Sequence, residues 1–209
     1  QQWGVPINVG GYQNAFIGNA YAGLVIWTVD AGSPIREFIG VQLIQQMVIG
    51  SKYFFSCYIS NGDSIPVNAS SNMFSFRFST ISYTFTNQAP IDNFSHYHSD
   101  LIVTDKINWT RISGSFIADS TYKYLILGNF YDDAHTIVDT SLLSSATSYY
   151  YVDAVCVSSD SIFDAIWTGF KDINNRDKLK IFPNPSHNFV SVNNYNNLLN
   201  LVIINNIIM

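Results

Sequence analysis

Apolar and polar residues alternate along most of this chain with a period of two, and the alternation breaks at intervals of roughly 8–15 residues at Gly, Asn, Asp, Ser or Pro. The clearest stretch sets Phe74, Phe76 and Phe78 on one face and Ser75, Arg77 and Ser79 on the other. A strand over 37–43 places Ile39, Val41 and Leu43 together, and further strands are predicted over 20–29, 52–60, 81–86, 107–117, 122–130 and 149–157. The run from Tyr53 to Ile59 is apolar on both faces, which predicts a central strand covered on each side. Through residue 158 no segment carries a helical stripe with caps. The expected architecture is an all-β antiparallel β-sandwich of the jelly-roll kind, occupying residues 1–158.

After Ser158 the pattern changes. Residues 159–178 lose alternation and end in a polar run, Lys171 to Lys178, that reads as a linker. Residues 179–209 form a short C-terminal β tail. A strand ending at Phe182 stops at Pro183-Asn184-Pro185, since proline withholds its N–H and extends its predecessor. A second strand, 189–192, follows, and 193–209 is a low-complexity mixture of Asn, Leu and Ile.

Charged residues make up only 12% of the chain, and Ser, Asn, Thr and Tyr take their place, as on many extracellular β proteins. Ten basic against fifteen acidic residues give −5 with no basic cluster, so neither a nucleic-acid partner nor membrane insertion is expected. The chain opens at Gln1-Gln2-Trp3 with no export signal, and the N-terminal strand of the sandwich is expected to lie upstream. Cys57 and Cys156 both fall in apolar strands; a disulfide and two small buried hydrophobes are both open.

Aromatic faces and planar polar groups are what a sugar site needs. Trp27, Tyr12, Tyr83, Tyr97 and Tyr131 are candidate platforms, while Trp109 is assigned to the core. Arg36 and Glu37 point to opposite faces of one strand; Arg36 offers donors to a ligand, and Glu37 is expected in a salt bridge. Asn129 joins the candidate ligand set, and Asp132-Asp133 reads as a solvated turn. Asp153 sits among apolar neighbours and needs a cation or several backbone donors. No acid pair or Gly-x-Ser-x-Gly elbow suggests catalysis, and no enzyme is expected. His96 and His98 lack an identifiable third metal ligand, so an exposed loop is the default there.

Two resemblances add to this reading. Lys180-Ile181-Phe182-Pro183-Asn184-Pro185-Ser186 resembles the opening of the type A sorting domain of the Bacteroidetes type IX secretion system, in shortened form. It implies a secreted or outer-surface protein whose partners include that secretion machinery. Residues 8–157 resemble galactose-binding-like carbohydrate-binding modules. The motifs are Gly18-Asn19-Ala20-Tyr21-Ala22-Gly23, Arg36 to Ile39, Trp109 to Phe116, Gly128 to Asp133 and Tyr150 to Val155. The implied function is non-catalytic binding of glycan or of a cell-surface protein. The family also implies one structural calcium, with Asp153 as the candidate ligand; here Ala154 replaces a second aspartate.

Overall fold

The computed structural model describes residues 4–29, 35–64, 69–84, 87–140, 146–161, 181–182, 190–192 and 202–203. The chain is all-β. Its strands are β1 (Ile7–Asn8), β2 (Gly11–Tyr12), β3 (Ala22–Val29), β4 (Ile39–Gln42), β5 (Lys52–Asn61), β6 (Ala69–Ser71), β7 (Phe74–Ser79) and β8 (Tyr97–Ser99). They continue as β9 (Thr110–Ile117), β10 (Tyr124–Gly128), β11 (Val138–Thr140), β12 (Ala146–Ser158), β13 (Ile181–Phe182), β14 (Val190–Val192) and β15 (Val202–Ile203).

Two sheets face each other. The larger runs β3-β12-β5-β9, with β6 beside the first half of β12 and β11 beyond it. The smaller runs β4-β10-β7-β8. All pairings are antiparallel except one bridge between Ser148 and Ala69. The chain crosses between the sheets several times, and β5 lies between β12 and β9, as its two apolar faces require.

Alternation fills the space between the sheets. Leu24 and Ile26, Phe55, Cys57 and Ile59 meet Ile39, Val41, Phe74, Phe76, Phe78, Leu125 and Leu127. Strand β12 contributes Tyr150 and Val152, then Val155 and Val157, so its inward positions change from even to odd. A bulge between Asp153 and Cys156, with Ala154 at φ 51°, makes the switch. Tyr97 joins this core, its ring 5.4 Å from Phe55 and 6.1 Å from Phe76. Cys57 and Cys156 are both buried and no disulfide joins them, which favours the hydrophobe reading.

Each sheet's outer face is also covered. Over the larger sheet, Tyr149 and Tyr151 pack with Tyr21, Val25 and Trp109. Trp109 therefore lies outside the inter-sheet core, contrary to expectation; its Nε1 donates to Asn14 O, and its ring meets Tyr21 and Phe16. Asn8 donates to the Tyr21 hydroxyl and accepts from that of Tyr151, holding the N-terminal segment down. Tyr149 is wedged against two backbones. A Cβ on Gly10 would stand 2.6 Å from its ring, and one on Gly23 2.0 Å from its hydroxyl oxygen. Gly23→Ala is expected to cost about 1.5 kcal/mol by overpacking, read as a lower urea midpoint. An unchanged midpoint would show that the ring moves freely.

Over the smaller sheet lie described residues of the stretch between Thr80 and His96, among them Tyr83 and Ala89. Alternation predicts a strand over 81–86, but the described part forms only an isolated bridge between Thr84 and Asn87. The alternation serves a loop instead: Tyr83 and Ala89 pack onto Ile126, Phe130 and Tyr131. Arg77 anchors the loop with both nitrogens on Asp92 and stands 5.3 Å over the Phe94 and Phe130 rings. His96 closes the seam between β7 and β9. Its Nδ1 accepts from Phe78 N at 3.0 Å, so the proton sits on Nε2, which donates to the Tyr122 hydroxyl at 2.9 Å. Tyr122 in turn donates to Asp119. Phe78, Phe94, Phe116 and Tyr122 surround the imidazole, with centroids 4.8–5.6 Å away.

In the tail, β13, β14 and β15 form a three-stranded antiparallel sheet. Pro183, Asn184 and Pro185 of the sorting motif lie outside the described residues.

Candidate functional site

The loop from Asn129 to Ile137 leaves β10 where β4 and β7 begin and β8 ends. It is built from its own side chains. Asn129 is fully buried; its Nδ2 donates to Thr136 Oγ1 and its Oδ1 accepts from Tyr131 N. Thr136 Oγ1 donates on to Asp132 O. These bonds make Asn129 an internal brace of the loop, beneath the surface where a ligand was expected to meet it.

Two neighbouring carboxylates emerge from this brace, each fixed by side-chain donors. Asp132 accepts from Asn93 Nδ2 at 2.9 Å, and from His135 N and Nδ1 at 3.1 and 2.7 Å. Asn93 Oδ1 accepts from Asp132 N in return. The Asn93 bond first, and His135 next, hold the Asp132 carboxyl down at about 2. Asp133 Oδ1 accepts from Trp27 Nε1 at 3.1 Å and from Arg36 Nη2. Asp133 remains 57% exposed, whereas the Arg36 side chain is 2% exposed. The carboxylate is thus clamped from beneath by two buried donors belonging to the chain around β3.

Four of the seven residues singled out for a ligand site, Trp27, Arg36, Asn129 and Tyr131, come together here. Their roles differ from open platforms. Trp27 is 7% exposed and presents an N–H, not a ring face. Tyr131 is buried as well, with its hydroxyl 2.8 Å from His98 Nδ1 and 3.1 Å from Ser95 Oγ. Tyr83 packs in the loop over the smaller sheet, and Tyr97 turns into the core. Tyr12 is exposed on β2, among the N-terminal residues. Asp133, Asn93, His98 and His135 were missed as members. Their partners lie 33 to 106 positions away for Trp27, Asn93 and His98, a separation no local pattern reveals.

Among the described residues Glu37 has no salt-bridge partner, contrary to expectation. Instead its Oε2 accepts from Val25 N at 2.7 Å, and its own N donates to Val25 O. Asp153 has the second of its two expected kinds of partner. Oδ2 accepts from Phe16 N and Ile17 N at 2.8 and 3.1 Å, and Oδ1 from Ala154 N at 2.6 Å. Burial raises its pKa, and these three bonds oppose the rise. Calcium takes six to eight oxygen ligands. Around Asp153 the partners are N–H donors, a set that fits an anion and not a cation, so no role is derived for calcium there. Among the described residues no three His, Cys, Asp or Glu side chains gather as a metal site.

The chain finds no match among protein-family models, curated proteins or solved structures.

Proposed function

We propose that this chain is a non-catalytic binding module of the cell exterior that recognises carbohydrate at the rim formed by Asp132 and Asp133. The observation that carries the reading is the clamping of both carboxylates, one by Asn93 and His135, the other by Trp27 and Arg36. Sugar hydroxyls donate to carboxylates, and acceptors that are already fixed lose little freedom on binding. The site is polar, with Tyr131 and His98 beside it.

The jelly-roll assignment is supported by the strand order β3-β12-β5-β9 facing β4-β10-β7-β8, in which each sheet collects strands from both halves of the chain. Export by the type IX route rests on the motif around Phe182 and on β14 falling where its following strand belongs. Affinity electrophoresis of the full chain through gels containing single polysaccharides tests the binding claim. Retardation in at least one gel is expected, with Asp133→Ala weakening it about tenfold, or about 1.4 kcal/mol. Unretarded migration in every gel removes the carbohydrate reading.

A second reading, an adhesion or envelope module that contacts other proteins, has its own observation. At the opposite end of the sandwich, Ile44, Val48, Ile49, Ile81 and Ile117 are each more than half exposed. Clustered aliphatic exposure of this kind marks interaction surfaces. Pull-down from envelope extracts that depends on Val48 and Ile49, and not on Asp133, favours this second role.

A further inference from the structure

The geometry points to Arg77 as the residue that positions the Asp132 carboxylate for ligand, acting through Asp92 and Asn93 and touching no ligand itself. The inference rests on the carbohydrate reading above and extends that site to a residue outside the rim. Arg77 stands on the face of β7 turned away from Phe76 and Phe78, and it meets both loops that build the Asp132 clamp. Its guanidinium lies 5.3 Å from the Phe94 ring on one loop and 5.3 Å from the Phe130 ring on the other. Its two terminal nitrogens hold the Asp92 carboxylate at 2.6 and 2.9 Å, and Nη1 also donates to Phe94 O at 3.1 Å. The residues on either side of Asn93 are thus fixed by one side chain, itself only 12% exposed.

Asn93 between them adopts φ 59°, a left-handed conformation that persists in a residue other than glycine where its surroundings over-determine it. Its own N donates to Phe130 O at 3.0 Å, two residues before Asp132. From that position the carboxamide makes a reciprocal pair with Asp132. Nδ2 donates to Oδ2, and Oδ1 accepts from Asp132 N, both at 2.9 Å. His135 serves the other carboxylate oxygen, Oδ1. The charge of Arg77 is met by Asp92, whose carboxyl it holds below the usual range, so its influence on Asp132 passes through placement. With Asn93 out of place, Oδ2 loses this donor. The carboxylate, 47% exposed, is then free to turn, and a ligand has to order it on binding.

The test is a carbon-13 NMR titration of the side-chain carboxyls of the full chain between neutral pH and pH 3. In the parent the Asp132 signal should hold nearly steady, because its midpoint lies at about 2 with the Asn93 bond as the first cause. Arg77→Met keeps an apolar stem and removes the fork; it should raise the midpoint toward the ordinary 3.8 and bring the signal into the titrated range. Asn93→Gly accepts the positive φ and removes the carboxamide, and should do the same with Arg77 intact. The two changes together should add nothing to either alone, since both act through one bond. Asp92→Ala, at a position 43% exposed, replaces Arg77→Met if that variant does not fold. In any polysaccharide gel that retards the parent, Arg77→Met and Asp92→Ala should each weaken the interaction about tenfold. An unmoved Asp132 signal in both variants, or an effect that adds to that of Asn93→Gly, overturns the inference and leaves the carbohydrate reading standing. A moved signal with undiminished retardation also overturns it, by separating Asp132 from the ligand. If no polysaccharide retards the parent, the carbohydrate reading falls, while the titration still decides whether Arg77 positions Asp132.

Discussion

Replacing Asp153 with alanine is expected to lower the unfolding free energy by about 3 kcal/mol, because three backbone N–H groups lose their acceptor at about 1 kcal/mol each. Those groups belong to Phe16, Ile17 and Ala154. The first two tie the N-terminal segment to the larger sheet, and the third holds the bulge that re-aims β12. Without the bulge, Ala154 and Cys156 would replace Val155 and Val157 on the inner face. Asp153→Asn should cost about half as much, since its single oxygen can serve the Oδ2 position while its NH2 meets Ala154 N–H. Urea denaturation of the three proteins reads both numbers. Equal stability of the alanine variant and the parent would mean that the bulge stands without its carboxylate.

Acidification should destabilise the protein through His96. Burial holds this imidazole at about 4, against an ordinary value of 6.5. The unfolded chain therefore takes up its proton first as pH falls below 6.5. Stability declines from there to about pH 4, below which the folded form is protonated too and the loss is complete. The full shift corresponds to about 3 kcal/mol at 1.36 per pKa unit. Discounting for the partly exposed ring leaves about 2 kcal/mol. The geometry gives the same direction, because a proton on Nδ1 would face the Phe78 N–H it now accepts. Asp153 works the other way. Its raised pKa means that its ionised form opposes folding, so protonation restores stability at the acid end. His96→Asn keeps an acceptor near Nδ1 and removes the titration; its stability should change by about 2 kcal/mol less than the parent between pH 7 and pH 4. Equal pH dependence in the two proteins would dismiss His96 as the cause.

Much of the fold was legible because burial imposes parity. The Phe74-Phe76-Phe78 face, the Ile39-Val41 pair and the doubly apolar run in β5 each appear where alternation placed them. Parity was silent about β8, whose His98 and Ser99 carry no apolar signal, and it misled at 81–86, where Tyr83 serves a loop laid over a sheet. Trp109 shows the same limit. A large aromatic in a strand signals burial, but both faces of these sheets are covered, and alternation does not say which cover it meets. At the candidate site, local residues were recognised one by one: Arg36, Trp27 and Tyr131. Their convergence on Asp133 depends on chain crossings that bring positions 27, 36 and 133 to one end, and nothing in a single segment encodes that.

The placement of β12 has a consequence for how this molecule comes into being. The last long strand of the sandwich is central in the larger sheet, with β3 on one side and β5 on the other. While the ribosome is still making residues before Ala146, β3 and β5 lack their shared partner, and the larger sheet cannot be completed, although β5 can already pair with β9. Closure awaits β12 and joins it to β3 across more than a hundred residues, a topology that favours slow acquisition of structure.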